Sequence, residues 1–447
     1  MSELVQLTRK GAASSPGGSS EGDAARAKTS AGTRLRIVML IPYDLECQPF
    51  AIRSIRFADE LGKRGHDVMV FHRPALKELR GERVRVRRVH RELPDTFEVG
   101  TLRGVLRFKP STWLALDAAI ATCDVVHFQK SLPAAFAPAL LLAKRHDKPL
   151  HQDWDDYESY FWLQAARDAG QTRGAKPLAR ARGVVTGMVR AAFTATAERL
   201  IPKLSDTVGG ASSELRRRSV EFGAEPGAVF PARVGVDADV FSPAHRDLAL
   251  RAELGLSGPT VLFSGSFDMH PELLFFVDAI KRLVRDAPGT KALVVGGGFG
   301  RRWLQDLVHE HGLSRSVTMT SGFVPFADMP RYVASCDIAA LPFRDTRVNR
   351  GKSSLTLLEC MASGVPVVTH DVGDVRWMMG DGGEIAPPDD PDAFGARLAA
   401  LARDPERRRT LGEAGRTRAI EQFSWARTVD ELEAAYRACI VRHGGAR

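Results

Sequence analysis

The chain has 447 residues, 44% of them hydrophobic, with 63 Lys+Arg against 54 Asp+Glu and a formal net charge of +9. Single cores seldom serve more than ~250–300 residues, so two domains are expected, and the apolar fraction excludes a disordered chain. No apolar run reaches the ~18–20 residues that span a bilayer; Pro133 to Ala143 is the longest of its kind.

The charge is uneven. Residues 1–240 hold 37 Lys+Arg against 28 Asp+Glu, residues 241–447 hold 26 of each, and residues 161–220 alone hold 11 against 4. A basic first half points to an anionic partner, either a phosphorylated or lipid-linked acceptor or an anionic membrane surface. A solvated basic face without a partner is the competing reading. The basic residues are not interleaved with aromatics and no nucleic-acid motif occurs, so nucleic acid is not an expected partner. Cys47, Cys123, Cys336, Cys360 and Cys439 form no CxxC pair and no metal spacing. They fit reduced thiols, and with no visible signal peptide the expected location is cytoplasmic.

In chain order, residues 1–33 are a Gly/Ser/Ala-rich tail expected to be disordered. Arg34 to Pro42 reads as a first strand. Phe50 to Arg64 reads as a helix with apolar positions at Ile52, Ile55, Phe57, Ala58 and Leu61, and Val68 to Phe71 as a second strand. Arg83 to Val89 alternates Val with Arg, the pattern of a strand with one wet face. Strands follow at Asp124 to Phe128 and Pro149 to Gln152, the latter running into DWDDYESYF. Leu163 to Lys203 has no clean period and reads as a mostly helical insertion. The alternation then restarts: strand Thr260 to Ser264, helix Glu272 to Arg285, strand Lys291 to Val295, helix Arg302 to His311. Further strands fall at Val317 to Thr320, Asp337 to Pro342 and Pro366 to Thr369. Two blocks of βαβ units predict an α/β chain with two doubly wound parallel sheets joined near Val234 to Ser242. Ligands on such sheets bind beyond the carboxyl ends of the strands.

The segment Gly351 to Val368, GKSSLTLLECMASGVPVV, carries the most chemistry. Ser353 or Ser354 suits an N-cap, Gly364 suits the C′ position, and Pro366 blocks continuation. The first N–H groups of a helix are an anion site, and Lys352 stands just before it. Lys352 and Glu359 are seven residues apart, which on one helix places them on a shared face, cation for phosphates and carboxylate for sugar hydroxyls. A Glu on the wet face of an amphipathic helix is the plainer reading. The GKSS string is not a P-loop, because Thr346 stands where that motif needs Gly. Gly265-Ser266 follows the strand at 260–264. Gly296 to Gly300 follows the strand at 291–295, but Arg301 breaks the dinucleotide spacing. Gly322-Phe323-Val324-Pro325 offers a ring to a base, or is a simple turn. His151, Asp153, Asp155 and Asp156 cluster at a strand end. They suit a divalent metal, a general base or a helix cap.

In this order these pieces resemble the family 4 glycosyltransferases of the GT-B fold, from about Arg34 to Ile440. RFADELGKRGHDVMVF is similar to the family's first helix and second strand, and PARVGVDADVFSP to its interdomain signature. VPFADMPRYVASCDIAALPF and the 351–368 segment match its donor region, and EQFSWARTVDELEAAY its C-terminal helix. The resemblance implies two Rossmann-like domains facing a cleft, with the C-terminal helix crossing back to the first. The expected limits are 1–33 for the tail and 34–238 for an acceptor-side domain with a basic insertion at about 161–205. A nucleotide-sugar donor domain at 239–425 and a crossover helix and tail at 426–447 follow. It implies retaining sugar transfer from a nucleotide-diphosphate sugar, with no cofactor and no essential metal. Glu359 would hold the donor ribose. Lys352 and the amides of Ser353, Ser354 and Leu355 would hold the diphosphate, and Phe323 and Val324 would lie beside the base. Gly265, Ser266, His270 and Gly297 would complete the donor site, with His151, Asp153 and Asp155 on the acceptor side. The acceptor would be anionic or lipid-linked, with peripheral contact at the inner membrane face. The chain departs from the family's pattern, and the common catalytic-side His aligns poorly, with His151, Asp153 and Asp155 all near it. Gly351 stands where a first Glu is common, SFDMHPE replaces an Arg/Lys pair, and YDLECQPF replaces a Gly-Gly turn. These departures keep two alternatives in view: a non-catalytic GT-B partner subunit and a sugar epimerase.

Overall fold

In the computed structural model, the structure describes residues 34–42, 51–72, 110–171, 176–267, 270–298 and 300–445. The first sheet contains β1 (Arg36–Ile41), β2 (Asp67–His72), β3 (Val125–Gln129), β4 (Leu150–Trp154), β5 (Thr207–Gly210) and β6 (Val229–Pro231), in the order β2-β1-β3-β4-β5-β6. The second contains β7 (Thr260–Ser266), β8 (Lys291–Gly297), β9 (Val317–Met319), β10 (Ile338–Leu341), β11 (Val367–His370) and β12 (Gly383–Ala386), in the order β12-β11-β10-β7-β8-β9. Every pairing in both sheets is parallel. The expected strand at Arg83 to Val89, the 1–33 tail and Cys47 lie outside the described residues. Strands β5, β6 and β12 were not expected; TVGG, VFP and GEIA are too short and too rich in Gly and Pro to show a period.

Strand alternation builds the cores. Ile37, Met39 and Ile41 of β1 face one cluster, Val38 and Leu40 another. In the second sheet Leu262, Leu293, Val295, Ala339 and Val367 face inward, while Val261, Val294, Ala340 and Val368 face the outer helices. The inward cluster is shared by both sheets. It runs through the linker residues Val234, Val236 and Phe241 into the last helix, Trp425–Gly445, at Val429, Leu432 and Tyr436. That helix crosses back onto the first sheet. Arg64 Nη1 pairs with Asp430 at 2.7 Å, His66 Nε2 with Glu433 at 2.9 Å, and Tyr436 Oη with His127 Nδ1 at 2.9 Å. Where the chain returns, Val236 N donates to Phe423 O at 2.7 Å beside a parallel bridge to Ser424.

The insertion is a helical hairpin, Glu158–Gln171 against Pro177–Leu200. Gly187 allows the close approach, since a Cβ there would sit 2.7 Å from Ala166 Cβ.

Candidate functional site

The segment after β10 folds as two helices with a break between them. Thr346 caps a short helix, Arg347–Gly351, by accepting from Asn349 N at 3.2 Å. Lys352 then leaves it in extended backbone (φ −78°, ψ 144°). Ser354 caps the next helix, Leu355–Ala362, by accepting from Leu357 N at 3.2 Å, which leaves the first helical amides unspent. Ser353 faces elsewhere, and its Oγ accepts from Val234 N of the linker at 3.3 Å. The helix stops as expected at Gly364 (φ +69°), with Val365 N bonded back to Cys360 O at 2.9 Å. The break corrects the shared-face reading of Lys352 and Glu359. A heptad relation needs one continuous helix, and Lys352 is not helical. Its charge acts on Glu272, whereas Glu359 feels only Arg56.

Glu359 points into a small cavity at the domain junction. Ile52 and Arg56 of the first domain, Val236, Asp237 and Phe241 of the linker, and Phe326, Leu355 and Trp425 line it with Glu359. The residue is 6% exposed and its carboxyl makes no hydrogen bond among the described residues. Burial pushes that carboxyl up to about 8, against the opposing pull of Arg56. Arg56 in turn pairs with Asp237 at 3.4 Å. The plainer reading, a wet-face Glu, does not hold. Arg56 and Asp237 were missed by the sequence reading. The available signal was two arginines, Arg53 and Arg56, on the apolar side of an otherwise amphipathic helix, Ile52–Lys63.

On the other flank, Phe323 is 63% exposed and its ring lies against Gly297, where a Cβ would be 3.0 Å from Cδ2. Gly296 lets β8 come close to β7, since a Cβ there would meet Gly265 O at 2.0 Å. Gly265 is exposed at the end of β7, and Val324 packs partly into the inward core. Ser266 closes β7 and His270 opens the helix His270–Asp286; the side chains of both lie outside the described residues.

The first-domain cluster is reassigned. His151 is fully buried behind the last helix, with its Nδ1 2.9 Å from Thr207 Oγ1 and its ring edge-on to Tyr436. Burial first, then the neighbouring His127 and Arg53, hold it well below the usual imidazole range. Asp153 is equally buried in a two-point pair with Arg53, Nε–Oδ2 3.1 Å and Nη2–Oδ1 2.5 Å. Both side chains are fully buried and already held by protein partners. Asp155 accepts from Gln129 Nε2 at 2.7 Å. Asp155, Asp156 and Glu158 have metal-like spacing, but the Lys130 ammonium already lies 3.0, 2.5 and 2.6 Å from them. That ammonium supplies the positive charge the three carboxyls face.

The two domains touch across the site. A Cβ on Gly351 would meet Tyr157 Cβ and Leu215 Cδ2 at 3.6 Å, so the first domain covers this position. Arg347 bonds the Tyr160 hydroxyl and lies 4.8 Å over its ring, and Ser213 N donates to Asp374 Oδ2 at 2.8 Å.

Comparison with known proteins agrees with this architecture. The family described as "Glycosyl transferases group 1" matches residues 258–404. Two relatives named D-inositol 3-phosphate glycosyltransferase, from Segniliparus rotundus and Stackebrandtia nassauensis, are each 30% identical. The first match covers 55% of this chain and 55% of the relative, so it spans about half that relative's length; the second covers 69% and 73%. Among solved structures, sucrose-phosphate synthase from Thermosynechococcus elongatus superposes with a TM-score of 0.67 at 19% identity, covering 90% of this chain and 98% of that one. Anabaena HepE in complex with UDP superposes with a TM-score of 0.62 at 16% identity, covering 90% and 99%. The parallel sheets, the returning C-terminal helix and these likenesses converge: the chain belongs to the group 1 glycosyltransferase family and is a glycosyltransferase of GT-B fold.

Proposed function

We propose that this chain transfers a sugar from a nucleotide-diphosphate sugar to a hydroxyl of an anionic or lipid-linked acceptor, with retention at the anomeric carbon and without an essential metal. The observation that carries the reading is the Glu359 carboxyl, nearly buried yet unpaired, one turn inside a helix whose first amides are free. Glu359 accepts the ribose hydroxyls of the donor. The amides at Leu355 and the Lys352 ammonium meet the diphosphate, and Phe323 with Gly297 offers a platform to the base. As the glycosidic bond breaks, negative charge grows on the leaving diphosphate. A helix N-terminus and a fixed cation stabilise that charge without moving a proton.

The names of the relatives favour a phosphorylated cyclitol among acceptors. No helix of the described residues is long and apolar enough to cross a membrane. The helix Pro177–Leu200 instead exposes Leu178, Val185, Met188 and Val189 beside Arg182, Arg190 and Arg199, a pattern suited to an anionic bilayer surface. Sedimentation with anionic liposomes at low salt tests that contact, and failure to co-sediment removes it.

The central test is a melting screen against nucleotides and nucleotide sugars, followed by turnover with inositol phosphates as first acceptors. A ligand at ~100 times its dissociation constant stabilises by roughly 2.7 kcal/mol. The anomeric configuration of the product, read by NMR, decides retention, and an unchanged rate in chelator decides the metal. A panel in which no nucleotide sugar shifts the melt or turns over would sink the reading.

A further inference from the structure

The second sheet changes its winding direction between β10 and β7, which are neighbours in space but not in sequence. A crevice at such a point, beyond the carboxyl ends of the strands, is where ligands bind on a doubly wound sheet. Three polar residues stand on the segments that leave those two strand ends and lie against one another. Glu272 comes from the first turn of the helix after β7, and Asn349 and Lys352 come from the segment after β10. Asn349 is 3% exposed and locked in place. Its Nδ2 donates to Arg344 O at 2.9 Å and to Glu272 Oε1 at 3.3 Å. The second oxygen of Glu272, Oε2, is shielded from solvent and has no hydrogen-bond partner among the described residues. Lys352 is the largest favourable charge acting on Glu272, and its ammonium makes no ion pair or hydrogen bond among the described residues.

A shielded acceptor without a donor is costly, and unlike Asp155 and Glu158, which share the Lys130 ammonium, Glu272 makes no ion pair among the described residues. A carboxylate held through one oxygen by a fixed amide presents the other to a sugar hydroxyl, because a carboxylate oxygen accepts and cannot donate. An ammonium on the same rim matches a phosphate. Gly351, which the first domain covers, has no side chain to compete for this role.

We infer that Glu272, positioned by Asn349, accepts a hydrogen bond from a hydroxyl of the transferred sugar, while Lys352 holds the phosphate that carries it. The inference rests on the nucleotide-sugar reading. Glu272 then sets selectivity among hexose epimers, since one inverted hydroxyl leaves its oxygen unpaired.

Titration calorimetry with a nucleoside diphosphate and its matching nucleotide sugar separates the outcomes, using wild type, Glu272→Gln, Glu272→Ala and Asn349→Ala. Loss of a hydrogen bond to a charged group should weaken the nucleotide sugar about tenfold or more in Glu272→Ala, while the bare diphosphate changes less than about twofold. Glu272→Gln, with the same shape, should keep the melting temperature and part of the affinity, and the preference between epimeric donors should narrow in both. Asn349→Ala should raise KM for the nucleotide sugar more than it lowers kcat. Equal losses for both ligands would assign Glu272 to the phosphates or the fold and overturn the inference, as would no loss for either. A wild-type protein that binds diphosphate but no nucleotide sugar would remove the donor reading itself.

Discussion

The strand ends of the two sheets carry similar residue types and use them in opposite ways. In the first domain each charged group has an opposite charge or a hydrogen-bonded neighbour beside it, although Arg53 Nη1, Asp155 Oδ1 and Glu158 Oε2 make no hydrogen bond. Arg53 clasps Asp153, Lys130 sits among three carboxyls, and His127 meets Tyr436 of the last helix. In the second domain the corresponding groups stand unpaired: Glu359 in its cavity, Glu272 Oε2 in the crevice, Lys352 on the rim and Phe323 open to solvent. A polar residue at a strand end is therefore weak evidence of a ligand. A nearly buried carboxyl with neither a hydrogen bond nor an ion pair among the described residues, as at Glu359, is stronger, because folding would otherwise leave its desolvation uncompensated.

If the first-domain cluster is structural, breaking it should cost stability. Arg53→Ala leaves Asp153 buried and uncompensated, and removal of one partner of a buried pair costs ~3–5 kcal/mol. Denaturant melts should show that loss; a variant as stable as wild type would break the contrast. If the second-domain groups are functional, Glu359→Ala should instead leave the fold intact. It should weaken nucleotide binding about tenfold to a hundredfold, the range for a hydrogen bond to a charged group, as read by calorimetry.

The same carboxyl makes a pH signature. Its folded pKa of about 8 exceeds the ordinary Glu value, so between about 4.5 and 8 the folded state holds a proton that the unfolded state has released. Its contribution is fully present below that window and is lost as pH rises through it, by up to about 1.4 kcal/mol per pH unit. Glu359→Gln should remove this slope, gaining stability over wild type at pH 8 and matching it at pH 4.5. Identical pH–stability curves would show that the carboxyl is not held neutral. The smallest effect expected is at Phe323, whose ring is largely exposed. Phe323→Ala should leave the melting temperature unchanged and weaken the nucleotide by about 1 kcal/mol, the low end for stacking of a base on an aromatic ring.

Much of the fold was legible in the sequence, for a local reason. The apolar runs of β1, β3, β7, β8 and β11 and the caps at Ser354 and Gly364 lie within windows of a few residues, where periodicity and turn chemistry act. The expected helical insertion and returning helix were found as well. The short strands β5 and β12 could not be read, because TVGG and GEIA gain their strand character from parallel neighbours rather than from propensity. In the site, the Lys352–Glu359 spacing misled, because a helix break at Lys352 leaves little trace in GKSS. His151 misled because its surroundings come from far along the chain.

Sequence by itself determined two doubly wound sheets, a capped helix after the fourth strand of the second, and a carboxylate inside it. Only the tertiary structure decided which polar groups are spent on the fold and which are left for a ligand. Partners are chosen by long-range packing: Arg53 finds Asp153 across 100 residues, and His127 finds Tyr436 across 309. No local window contains both members of such a pair, so neither the pairing nor its absence at Glu272 and Glu359 can be read before the chain is folded.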